Sequence, residues 1–197
     1  MGATSVLPNP DQYPFPVGQR MTAAEFDLLP VGPPYPELIN NQVIMPPSPE
    51  FSHQEVSISL ASRMFFHVEN NDLGVLLAAP MDVQFDDGNV FQPDIIFISK
   101  DRLSELLSDG KKIKGAPDLV VEILSSNKKS DLEEKMYIYE LYDVREYWVV
   151  DPKKKFVEIF ENVEKEFVSV QKCKGGSTAH SKVLAGFSIE LSKIFRA

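Results

Sequence analysis

Ala116-Pro117-Asp118-Leu119-Val120-Val121-Glu122-Ile123-Leu124-Ser125 is the stretch whose reading decides the fold. It is short, apolar and β-branched, and it is bounded by Pro117 and by the polar residues after Leu124. Such a run reads as a strand inside a sheet covered on both faces. Val90-Phe91-Gln92-Pro93-Asp94-Ile95-Ile96-Phe97-Ile98 reads the same way. Each run holds a carboxylate, Glu122 or Asp94, where an ionised group must be paired, hydrogen-bonded, protonated or metal-bound, because desolvating it alone costs several kcal/mol. Two such carboxylates in neighbouring strands point to a divalent-cation site.

Outward from these strands, 197 residues with 43% hydrophobic content suffice for one core. Residues 1–21, with Pro8, Pro10, Pro14 and Pro16, read as an extended arm lying on this subunit or a neighbouring one, and residues 22–197 as a single domain. Cys173 is the single cysteine, so no internal disulfide forms, and no apolar run reaches the roughly 18 residues of a membrane span. The N-terminus lacks a signal peptide's basic start and apolar core, which leads us to expect a cytoplasmic protein. A net charge of −9 argues against loose electrostatic binding of nucleic acid.

Along the chain, Thr22 and Glu25 have capping-box spacing and open a short helix ending before Pro30. Asn40-Asn41 joins two short apolar pieces as a hairpin. Ser48-Pro49 reads as N-cap and first helical position of the longest helix, which runs to about Glu69 with Val56, Leu60, Met64 and His53 on its inward stripe. Gly74 to Phe85 is expected as one strand, returning antiparallel through Asp86-Asp87-Gly88-Asn89 into the Asp94 strand. A short helix and the basic loop Lys111-Lys112-Ile113-Lys114-Gly115 follow. Ser130 to Glu133 is again a capping box, starting a helix through Tyr142. Arg145 to Asp151 is a further strand, Phe156–Phe160 and Phe167–Gln171 a hairpin, and Phe187–Phe195 a last strand or short helix.

Side chains alternate across a strand, so Glu122 shares a face with Val120 and Leu124. A lysine two residues after Glu122 would point with it, and Leu124 occupies that place. On the following helix, Leu132, Lys135, Met136, Tyr139 and Tyr142 fall within one stripe at about 100° per residue, which turns Lys135 inward. An ammonium beside metal-bound carboxylates can orient a water and stabilise charge on a phosphoryl oxygen. Oxygen ligands from Asp94, Glu122 and the Ile123 carbonyl suit Mg²⁺ or Mn²⁺. There is no His/Cys cluster for zinc, no Gly-rich phosphate loop and no G-x-S-x-G elbow.

Pro93-Asp94 followed by Glu122-Ile123-Leu124 resembles the PD-(D/E)xK nuclease superfamily with its lysine displaced. More closely, the chain resembles the Uma2 family, also called DUF820, of restriction-endonuclease-like proteins. The resemblance rests on Pro36-Glu37-Leu38-Ile39, Met45 through His53, Gln92-Pro93-Asp94, Gly115 through Ser125, Asp131 with Lys135 and Tyr139, and Glu146 through Pro152. It implies a mixed α+β fold with a central mixed sheet flanked by helices. It also implies metal held by Asp94 and Glu122, Lys135 acting for the missing lysine, and Glu37, His53 and Tyr139 in support.

The function expected first is therefore Mg²⁺-dependent endonucleolytic cleavage of DNA by metal-activated water. Lys111, Lys112, Lys114, Lys128 and Lys129 would then gather at the rim to contact phosphates. The alternative is a catalytically silent module of the same fold that acts with a partner. A two-carboxylate glycosidase ranks last, because covered strands and a flanking lysine fit phosphate chemistry better. The arm and the edge of the late hairpin are candidates for joining a homodimer.

Overall fold

The computed structural model describes residues 15–107, 110–125 and 129–195, and for residues 129–132 the backbone alone. In chain order the elements are α1 (Ala23–Phe26), β1 (Glu37–Ile39), β2 (Gln42–Ile44), α2 (Phe51–Asn70), β3 (Gly74–Ala78), β4 (Val83–Gln84), β5 (Val90–Phe91), β6 (Ile95–Ser99), α3 (Leu103–Leu106), β7 (Ile113–Lys114), β8 (Leu119–Ile123), α4 (Lys129–Leu141), β9 (Glu146–Asp151), β10 (Phe156–Val163), β11 (Glu166–Lys174), β12 (Thr178–His180) and β13 (Ser188–Glu190). The longer sheet has the order β11-β10-β9-β8-β6-β3, the second β2-β1-β5-β4-β7, and β12 pairs with β13. Both larger sheets are mixed, since β8 and β9 run parallel, as do β4 and β7.

The apolar strand reading of 119–123 holds, because all five residues of β8 are buried. Alternation then divides two cores. Leu119, Val121 and Ile123 pack with Val56, Leu60, Met64 and Val68 of α2 on one face, while Val120 faces Ile138 and Tyr139 of α4 on the other. Glu122, two residues from Val120, points to the α4 side.

Local chemistry explains the joints. The capping box forms as expected, with the Thr22 amide donating to Glu25 at 2.8 Å and the Glu25 amide to the Thr22 hydroxyl at 3.3 Å. Asn40 and Asn41 both take positive φ, 50° and 64°, which is the conformation a two-residue hairpin requires. The expected arm falls largely on residues outside those described. Its last part lies on this subunit, where the Gly18 amide donates to the Val43 carbonyl and the Val43 amide to Gln19.

Several expectations need correction. The long helix starts at Phe51, not Pro49, and its N-cap Glu50 makes no side-chain cap bond. Pro46, Pro47 and Pro49 hold the preceding residues extended and delay the first turn. The 74–85 strand is two strands, β3 in the longer sheet and β4 in the second, because Pro80 has no amide to continue a ladder. Asp94 lies in the break between β5 and β6 rather than within a strand. α4 begins at Lys129, so Ser130 is inside its first turn. β7 falls inside the stretch expected as a basic loop, and β12 had no expectation. No helix among the described residues is long and apolar enough to cross a membrane.

Asp118, fully buried before β8, bolts the longer sheet's end. Its carboxylate accepts from the Ser99 amide at 2.8 Å and from Arg102 and Arg145 at 3.1 Å each. Burial alone would raise this carboxyl, but the Ser99 amide and the two guanidinium groups outweigh it and hold Asp118 below the usual carboxylate range. A depressed acid stabilises the fold above its unfolded value of about 4 and loses that contribution as pH falls through the still lower folded value. Asp118→Ala is expected to cost about 3 kcal/mol in urea unfolding at pH 7. The gap to the unsubstituted protein should close as pH falls below about 4; a gap that persists unchanged at pH 2 would show that charge is not the cause.

Candidate functional site

Five separate segments bring polar side chains to one cleft of about 630 Å³. Glu37 comes from β1, His53 from the first turn of α2, Asp94 from the β5–β6 break, and Glu122 with Ile123 from β8, while Lys135 reaches in from α4. The β6–β8 pairing, with Ile95 opposite Val121, sets Asp94 and Glu122 at the same end of adjacent strands.

Each group is held. Asp94 Oδ2 accepts from the Ile123 amide at 2.7 Å and from His53 Nε2 at 3.2 Å. The Tyr139 hydroxyl donates to Glu122 Oε1 at 2.6 Å. Lys135 Nζ donates to Glu37 Oε1 at 2.6 Å and lies 3.5 Å from Glu122 Oε1, with the Phe91 ring centroid 5.5 Å away. Glu37 Oε1 also accepts from the Gln92 amide at 2.8 Å, whereas Glu37 Oε2 is buried without a hydrogen-bond partner. The inward stripe therefore delivers Lys135 and Tyr139 as expected, both buried.

The electrostatics follow from burial. Desolvation, opposed by Lys135 but reinforced by Asp94 and Glu37, pushes the Glu122 carboxyl up to about 7. Lys135 would be lowered by burial, yet Glu122 and Glu37 outweigh that and raise it, so it stays an ammonium. Burial likewise opposes charge on His53, but the hydrogen bond and charge of Asp94 raise it above its ordinary value. Near neutral pH the cluster thus holds an ammonium, and Glu122 retains a proton on part of the molecules.

The donor set fits a hard divalent cation. Mg²⁺ keeps several waters and uses one or two carboxylates with oxygen partners, and Asp94 and Glu122 supply two carboxylates to one cleft. Glu37 Oε2, buried in the same cleft without a hydrogen-bond partner, is a further oxygen of the kind such an ion takes. Among the described residues no three His, Cys, Asp or Glu side chains stand grouped as a ready-made ligand cage.

The rim of lysines is not formed as expected. Lys112 is buried against Asp27, 2.7 Å from its Oδ1, and neither Lys111, Lys112 nor Lys114 lines the cleft. β7 pairing with β4 carries this loop into the second sheet instead. Lys128 lies outside the described residues, as does the side chain of Lys129. The wall that sequence reasoning missed is apolar and rigid: Pro33, Pro34, Tyr35, Pro46, Pro47, Pro49 and Pro80, with Gln54, Gln92 and Ser125 at its polar points. The proline spacing was the available signal.

Residues 23–192 match the Uma2 family, described as "Putative restriction endonuclease". Among solved structures, one titled as a "putative nuclease belonging to DUF820" from Anabaena variabilis matches with a TM-score of 0.75 and 19% identity, covering 89% of this chain and 97% of that one. That likeness extends the shared fold to nearly the whole chain. No curated protein matches.

Proposed function

This chain belongs to the Uma2 family, and from that premise we propose that the cleft between Asp94 and Glu122 is the active site of a divalent-metal-dependent endonuclease acting on DNA. The observation that carries the reading is the convergence of those two carboxylates on one cleft beside a buried ammonium, with Lys135 Nζ 3.5 Å from Glu122. Asp94 and Glu122 would hold Mg²⁺ or Mn²⁺. When bound, such an ion polarises the scissile phosphate and lowers the pKa of the attacking water.

The chain's own groups do the rest. The Ile123 amide and His53 fix the Asp94 carboxylate, and Tyr139 fixes that of Glu122. Glu37 aims the Lys135 ammonium, which stabilises negative charge growing on a phosphoryl oxygen. The proline wall puts apolar surface on one side of the cleft, which lowers the local polarity and so strengthens each of these interactions.

One observation favours the second reading, a silent module of the same fold. Lys135 already supplies one countercharge, shared between Glu37 and Glu122, so part of the cluster's negative charge is balanced by the chain itself. Calorimetric titration of Mg²⁺ and Mn²⁺, paired with a DNA-cleavage assay, separates the two. Asp94→Asn keeps an acceptor for the Ile123 amide and should fold normally. We expect metal binding in the unsubstituted protein, its loss in Asp94→Asn, and cleavage reduced by more than about 100-fold. Absence of both binding and cleavage in the unsubstituted protein, on duplex and single-stranded DNA and on RNA, would leave the silent module standing.

A further inference from the structure

The outer face of α2 carries a stripe that the described fold leaves uncovered. Phe51, Ile58 and Phe65 recur at a spacing of seven and are 83%, 70% and 43% exposed. Phe66, 62% exposed, meets Phe65 edge-on with ring centroids 6.0 Å apart. A seven-residue step returns a helical side chain to within about 20° of its starting direction. The three therefore form one line, opposite the buried Val56, Leu60 and Met64. A surface helix normally presents polar residues there, so a continuous apolar line marks an interaction face.

We propose that this stripe is the seam of a homodimer in which two copies of α2 pair antiparallel about a twofold axis at Ile58. The line is its own complement. Phe51 and Phe65 stand equally far from Ile58, so the twofold sets Phe51 on Phe65 of the partner subunit and Ile58 on Ile58 of the partner subunit, the reciprocity that an isologous interface demands. The same operation sets Gln54 beside Ser62 of the partner subunit, and Glu55 beside Ala61 of the partner subunit, so no like charges oppose. Small side chains at 61 and 62 let the helix axes approach to about 8–10 Å.

The area is adequate. A buried phenylalanine hides about 150–250 Å², so the four side chains at their present exposure offer on the order of 500 Å² per subunit. Both subunits together come to about 1,000 Å², the size at which a specific interface begins. Gln54 lines the cleft and lies one turn from the axis position, so the pairing would set the two clefts on either side of the seam, about 12 Å apart along the helices. Two active sites would then face one nucleic acid under the nuclease reading, although the pairing rests on the stripe alone.

Light scattering on the full chain at about 10 μM, well above the Kd of ordinary standard-size interfaces, should give twice 22.2 kDa. Ile58→Asp should give the single-chain mass with an unchanged circular dichroism spectrum. Oxidation should link Ile58→Cys to its own copy, and link Phe51→Cys to Phe65→Cys in a mixture but neither to itself; the natural Cys173 is buried. A single-chain mass for the unsubstituted protein overturns the proposal. So does a dimer indifferent to Ile58→Asp, or self-linkage of Phe51→Cys, which would mean a parallel pairing.

Discussion

Replacing Glu122 by Gln is expected to abolish metal-dependent cleavage while making the protein more stable. Burial holds the Glu122 carboxyl at about 7, against about 4.3 in an unfolded chain. Because the folded state binds this proton more tightly, its stability is greatest below the unfolded value and falls as pH rises from there through about 7. Above that, ionised Glu122 costs the fold on the order of 3 kcal/mol. Gln has no charge to desolvate and can still accept from the Tyr139 hydroxyl. Urea unfolding at pH 8 should therefore show a gain of up to about 3 kcal/mol, shrinking towards zero at pH 4. Under the proposed function, in which Glu122 holds the ion, cleavage should fall by more than about 100-fold. Wild-type cleavage in the variant would remove Glu122 from the site, and a variant less stable at pH 8 would show that Lys135 fully compensates its charge.

Such a residue is kept at the expense of stability, and that is what made it legible. A glutamate inside Leu119-Val120-Val121-Glu122-Ile123 contradicts its surroundings, so the sequence advertises both the strand and the anomaly. The same holds for Lys135, a long cation on an inward stripe, which the structure finds buried between Glu37 and Glu122. Asn40-Asn41 and Thr22 with Glu25 were readable because turn and cap chemistry are local.

What stayed hidden is set by distant pairing. Nothing near Gly74–Phe85 says that its two halves join different sheets, because the partners β6 and β5 follow only after the turn. The lysines at 111, 112 and 114 look like a solvated patch until β7 docks beside β4 and Lys112 meets Asp27, 85 residues away in sequence. The proline wall of the cleft is assembled from Pro33-Pro34, Pro46-Pro47 and Pro80, each of which reads locally as a mere break. A net charge of −9 describes the whole surface, and the proposed function is compatible with it because a cleft that holds a cation needs local negative charge and takes its phosphate affinity through the ion.

Glu146→Ala is expected to lower the melting temperature by about 8–16 °C. Glu146 is buried at the start of β9, and its carboxylate satisfies four donors. Oε1 accepts from Trp148 Nε1 and from the Ser181 hydroxyl at 2.6 Å each, and Oε2 from the amides of Lys182 at 2.7 Å and Val183 at 3.0 Å. Ser181 Oγ in turn accepts from the Leu184 amide at 2.8 Å. One carboxylate therefore ties the segment between β12 and β13 to the longer sheet, and with it Leu184, Phe187, Ile189, Leu191 and Ile194 to the core around Trp148. Removing it strands a buried indole N–H and serine hydroxyl together with two half-buried amides, which costs about 3–5 kcal/mol in all. Gln is a poor substitute, because its amide nitrogen would face donors, so Glu146→Gln should recover less than half of the loss. Trp148 is the single tryptophan, and its fluorescence should shift to the red in Glu146→Ala as the C-terminal segment loosens, while hydrogen exchange quickens across residues 178–195. A melting temperature within about 2 °C of the unsubstituted protein would mean that apolar packing alone holds the segment.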